Sequence, residues 1–90
     1  MKRTIIELEK ILKSLANRRR LFLVATLQHK QGMNVGDLAS AVGLSLQATS
    51  RHLITLERAG ILKKDQRDTF VFYQITDPIS PFIEKLIAEL

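Results

Sequence analysis

Ninety residues carry 14 Lys and Arg against 9 Asp and Glu, a formal charge of +5, and no cysteine. A chain of this length builds one small domain, often marginal without disulfides, metals or a partner subunit, and the lack of cysteine leaves self-association as the remaining support. The basic excess favours an anionic partner. No stretch reaches the roughly 18 apolar residues of a membrane span, and Glu7 and Glu9 interrupt any secretory core behind the basic start. The expected setting is cytoplasmic, with no membrane partner.

Thr4 to Leu15 places Ile5, Leu8, Ile11, Leu12 and Leu15 at helical spacing. Asn17 suits the N-cap of a second helix that Gly32 closes. That helix is apolar on nearly every face, which predicts the central and most buried position. Residues 35–42 read as a short third helix ended by Gly43, with Val35, Leu38, Ala39 and Val42 inward. Ser45 caps a fourth helix that runs to about Ala59 and stops at Gly60. There the hydrophobic period changes from about 3.6 residues to about 2. Residues 61–64 and 69–75 read as two strands, joined by the polar turn Asp65-Gln66-Arg67-Asp68. Pro78 and Pro81 open a last helix with Ile79, Phe82, Ile83, Leu86, Ile87 and Leu90 on one wide apolar face. The predicted fold class is mainly α with a small β-hairpin, in the order α-α-α-α-β-β-α.

Residues 35–59 form the pattern that carries function. A short helix, a turn through Gly43 and a longer helix make a helix-turn-helix, whose second helix enters the major groove of DNA by its N-terminal half. On that helix Leu53 and Leu56 face inward, with Thr49 and Ala59 extending the stripe. Gln47, Ala48, Ser50, Arg51 and Arg58 face the other way. Gln and Arg can make forked contacts to adenine and guanine. The hairpin behind the motif carries Lys63, Lys64 and Arg67, suited to phosphates or the minor groove.

At this point the chain resembles the ArsR-type winged helix-turn-helix repressors. Residues 12–21 (Leu-Lys-Ser-Leu-Ala-Asn-Arg-Arg-Arg-Leu) are similar to that family's opening, with Arg20 at its usual arginine. Residues 35–39 and 44–53 resemble the two motif helices, and residues 56–62 with 72–75 resemble the helix end and the wing. The resemblance spans roughly residues 11 to 75. It implies a homodimer that represses a promoter until an effector releases it, and adds Arg20, Ser45 and His52 to the DNA-contacting set, the histidine either helping the helix pack or touching a phosphate. The chain departs from the pattern in three places. It lacks the cysteine pair that metal-sensing members carry near Val35 to Asp37, and it has Leu46 and Ile54 where polar residues are common.

The whole chain, 1–90, is thus read as one winged helix-turn-helix domain, with the motif at 35–59 and the wing at 61–75. Residues 4–15 and 78–90 are assigned to dimerisation, through Ile5, Leu8, Leu12 and Leu15 on the first helix and Ile79, Phe82, Ile83, Leu86, Ile87 and Leu90 on the last. Left exposed, such a face exceeds what soluble monomers usually carry. The expected partners are double-stranded DNA and a second copy of the chain, with a small-molecule effector left open. No cofactor is expected. No metal site is expected either, because His29 and His52 lie on different helices and no His, Asp and Glu have ligand spacing. Asp77, Glu84 or Glu89 across a dimer is the only route to one. Nothing resembles a catalytic triad, a phosphate-binding glycine loop or a paired catalytic acid, so an enzyme is not expected. The competing readings are a winged-helix protein-interaction module and a nonspecific architectural DNA-binding protein.

Overall fold

The computed structural model describes residues 3–90. Thr4 caps α1 (Ile5–Leu15), its hydroxyl accepting the Glu7 amide at 3.1 Å. Asn17 caps α2 (Arg18–His29) by accepting the Arg20 amide at 3.1 Å. Asn34 and Ser45 do the same for α3 (Val35–Val42) and α4 (Leu46–Arg58), and Ser80 caps α5 (Pro81–Ala88). Each cap satisfies an amide that the first helical turn leaves without a partner.

Three strands form one antiparallel sheet in the order β1-β3-β2, where β1 is Met33–Asn34, β2 is Leu62–Arg67 and β3 is Phe70–Ile75. The hairpin pairs Leu62 with Ile75 and Arg67 with Phe70. Its turn is only Asp68-Thr69, with Asp68 at φ 55°, so the expected four-residue turn is corrected: Asp65, Gln66 and Arg67 belong to the strand. Two-residue turns match the twist of the flanking strands and favour positive φ, which Asp tolerates better than most residues. β1 was not foreseen. Two residues show no period, and their pairing with Phe72 and Tyr73 is set by tertiary packing.

The core gathers Ile11, Leu15, Leu23, Val24, Leu27, Leu38, Leu53, Leu56, Ile61 and Leu62, closed by Ile83 and Ile87. α2 lies at its centre through Leu23, Val24 and Leu27, yet Phe22 on the same helix is 58% exposed, which corrects the expectation of an all-round buried helix. The dimerisation set also needs correction. Leu15, Ile83 and Ile87 are buried in the protomer's own core rather than presented on its surface. Ile79 precedes α5 and packs against that core, and Leu8 is half-buried.

Thr49 on α4 is fully buried, and its hydroxyl has no hydrogen-bond partner among the described residues. Thr49→Val keeps the shape and removes the unsatisfied oxygen. It should raise stability by about 1 kcal/mol, read as a higher urea midpoint at unchanged m-value. An unchanged or lower midpoint would show that the hydroxyl is satisfied.

Candidate nucleic-acid interface

α3 and α4 are set against each other by the turn between them. Gly43 takes the left-handed conformation at φ 69°, which ends α3 and lets the Leu44 amide bond the Ala39 carbonyl at 3.0 Å. Ser45 then starts α4, its Oγ accepting the Ala48 amide at 3.1 Å. The inner side of α4 is Thr49, Leu53, Leu56 and Ala59, all buried. The outer side shows Leu46, Gln47, Arg51, Ile54, Thr55 and Arg58 to solvent, with Ala48 and Ser50 half-buried at the margins. Gln47 and Arg51 sit one turn apart, so their polar ends project together. Leu46 and Ile54 point outward beside them and suit thymine methyl groups. Thr55 belongs to this stripe too. A threonine late in a helix gave no signal of that in the sequence.

The hairpin divides its cations between two faces, because strand side chains alternate. Lys64 turns toward α4 and pairs with Glu57 at 3.8 Å. Lys63 and Arg67 share the opposite face with Phe70 and Phe72. Arg67 donates through Nε to Asp65 at 2.8 Å and lies over the Phe72 ring at 5.5 Å. The rings of Phe70 and Phe72 are 6.3 Å apart, and Phe70, next to the turn, is 56% exposed. Lys63 has no carboxylate partner among the described residues. The expected trio therefore becomes Lys63 and Arg67 on one face and a paired Lys64 on the other. Phe70 was missed because alternation alone cannot tell the covered face of a strand from the bare one.

Arg20 and His52 are placed differently from the rest. Arg20 donates through Nε to the Ser14 carbonyl at 2.6 Å and through Nη2 to the Lys13 carbonyl at 3.3 Å. Its Nη1 lies 3.2 Å from His52 Nδ1. The guanidinium has no lone pair to offer, so Nδ1 accepts and the neutral ring carries its proton on Nε2. Both side chains face inward across α1, α2 and α4. Of the two roles expected for His52 the structure shows the packing one, and Arg20, expected at the DNA surface, is engaged by α1 carbonyls and by the His52 ring behind the outer face of α4. Burial and then the charges of Arg20 and Arg19 hold the His52 ring below its ordinary pKa of 6.5.

A helix-turn-helix domain family matches residues 15–65. The transcriptional activator HlyU of Vibrio cholerae is 36% identical over 66 residues, covering 73% of this chain and 60% of that protein. The chain thus spans about three fifths of the length of that curated relative. A structure of HlyU from the same organism superposes with a TM-score of 0.82 at 30% identity, over 99% of this chain and 92% of that one. The homodimeric winged helix-turn-helix DNA-binding domain from Mycobacterium bovis, described as a possible ArsR-family regulator, gives 0.82 at 26% identity, over 94% and 75%. BigR, a transcriptional repressor from Xylella fastidiosa, gives 0.76 at 28%, over 94% and 80%. The chain belongs to the ArsR-type winged helix-turn-helix family.

For an ArsR-type chain, its terminal segments are notable for what they leave bare. Ile5, Ile6, Leu12, Phe82, Leu86 and Leu90 are exposed. Phe22 joins them, lining with Arg18, Leu21, Ala25 and Leu90 an apolar groove of about 430 Å³. Ile6 and Phe22 are additions to the sequence-based set. Among the described residues no three His, Asp or Glu come together as a metal site, and no helix is long and apolar enough to cross a membrane.

The depressed His52 pKa makes stability depend on pH. The unfolded chain binds a proton near 6.5 that the folded state refuses, so stability is complete above that pH and falls below it until the folded ring also protonates. His52→Asn keeps an acceptor near the Nδ1 position and removes the titration. Between about pH 7.5 and pH 5 the melting temperature of the wild type should fall more than that of the variant. Parallel melting curves would show that His52 is not the group concerned.

Proposed function

We propose that the chain is a transcriptional regulator that binds double-stranded DNA as a homodimer in the cytoplasm, without catalytic activity. The observation that carries this is the outer face of α4. It is N-capped, exposed and free of carboxylates, it presents Gln47 and Arg51 together, and the hairpin beside it carries Lys63 and Arg67. Gln47 and Arg51 would read base edges, Leu46 and Ile54 would meet thymine methyls, and Lys63 and Arg67 would meet the backbone or the minor groove. The bare apolar set on α1, α2 and α5 supports a second copy as the partner. A two-fold pair would set two recognition helices about one DNA turn apart. The relatives include both an activator, HlyU, and a repressor, BigR. The sign of regulation then follows from where the operator lies. With no cysteine, the chain has no thiolate for redox sensing or soft metals.

The base-reading and backbone groups should fail differently. On a preferred site selected from random duplexes, Gln47→Ala or Arg51→Ala should cost roughly 1–3 kcal/mol and relax the sequence preference. Arg67→Ala should weaken all duplexes alike and lower the salt slope by about one unit per protomer. The exposure of Leu46 and Phe70 also suits a winged-helix protein-interaction module. Salt-dependent binding that none of these substitutions changes would favour that module, and equal affinity for every duplex would favour an architectural protein.

Phe82 and Leu86 are exposed in the protomer. Phe82→Glu with Leu86→Glu should therefore give a folded monomer, with native circular dichroism and half the sedimenting mass. A wild type that sediments as a monomer at about tens of micromolar would end the homodimer reading.

A further inference from the structure

A second cluster of cations lies away from the outer face of the N-terminal half of α4. A cleft of about 310 Å³ opens between α1, the start of α2 and the C-terminal half of α4, within the size range of small-ligand sites. Lys10, Lys13, Arg20 and Arg58 line it together with Ser14, Thr55 and Ala59, and no carboxylate is among the lining residues. Glu9 reaches Lys13 from outside at 3.8 Å. Lys10 and Arg58 have no carboxylate partner among the described residues. Cations near helix C-termini often answer the carbonyls there. In α1 that role is taken by Arg20, which binds the carbonyls of Lys13 and Ser14. Lys10 is thus left facing the cleft without a partner among the described residues, beside a Lys13 that Glu9 reaches only from outside.

We propose that this cleft binds a small organic anion, carboxylate or phosphate in class, and that Arg20 couples it to the recognition helix. Lys10, Lys13 and Arg58 supply donors to the anion, and the lysine stems with the Ala59 and Thr55 methyl groups cover its carbon skeleton. Arg20 forms one wall of the cleft and also holds His52 on α4 at 3.2 Å. An oxyanion in the cleft competes for the guanidinium and changes the bond that seats α4. The site shares Thr55 and Arg58 with the C-terminal end of the outer side of α4 and uses neither Gln47 and Arg51 nor the wing cations Lys63 and Arg67.

The test is amide and side-chain NMR of the full chain, titrated with inorganic phosphate and separately with malonate at constant ionic strength. Saturable shifts should cluster on Ser14, Thr55, Ala59 and Arg20 Nε, with the His52 ring moving on the same curve. Lys10→Gln with Arg58→Gln, both exposed, should weaken that binding about tenfold or more, the scale of a lost charge-assisted hydrogen bond. Unsaturated shifts spread over all surface Lys and Arg would overturn the site. So would saturation unchanged in the variant, and a still His52 ring would overturn the coupling. A duplex titration of the same variant separates a backbone contact from a small-anion site. The proposal expects the wild-type salt slope. A lower slope with no phosphate or malonate binding would assign the cleft to the DNA backbone and overturn it. Loss of all duplex binding by the wild type would sink the DNA reading and leave the NMR result standing.

Discussion

The placement of α4 depends on one guanidinium. α1 ends with carbonyls that the helix cannot satisfy, and α2 begins immediately beyond Asn17 with three arginines in its first turn. Positive charge there opposes the α2 dipole by a few tenths of a kcal/mol per residue. Arg20 more than offsets this, because one planar group meets two carbonyls of α1 and the ring of His52 on α4. Three helices are thereby tied at one point. The apolar core beneath, with Ile11, Leu23 and Leu53, sets their distance, and the bonds above it add direction. The outer stripe of α4 is presented as it is because its inner neighbour is held.

Features governed by short-range chemistry were legible in the residues. The caps Asn17 and Ser45 satisfy amides three residues away, so the starts of α2 and α4 could be read directly. The bounds of α3 are those expected, because Gly43 leaves no doubt where that helix stops. Gln47 and Arg51 were also legible, since helical geometry fixes which residues lie opposite Leu53 and Leu56.

What stayed hidden depends on partners far along the chain. The strand at Met33 exists only because β3 passes beside it. Phe22 looks like core in a helix that is apolar all round, and only the positions of α1 and α5 decide which side stays bare. The two ends of the chain illustrate the same point. Ile83 and Ile87 face the core while Phe82 and Leu86 look out, so one apolar helix serves both the protomer's own interior and an outer surface. Its sequence announces a wide stripe and cannot apportion it. The resemblance marked Arg20 and His52 without saying which way either points, and only the packed structure shows Arg20 bonded to α1 and to the His52 ring.

The wing has a gradient of support along its length. Leu62 is buried where β2 leaves the core, and every later residue of that strand is exposed. Past the pairing of β1 with Phe72 and Tyr73 and the Lys64–Glu57 pair, the tip of the hairpin is held by its own ladder, the Arg67 stack and a two-residue turn. An isolated two-stranded ribbon is marginal in water. The outer rungs therefore open and close far more often than the base, and their amides exchange with solvent while those near Leu62 stay protected. In the proposed complex with DNA such a ribbon would meet a curved backbone as a compliant arm. Part of the association free energy would go into stilling it, at about 1–2 kcal/mol of backbone entropy for each residue fully fixed. In return the same arm could follow a groove whose width changes from one sequence to the next.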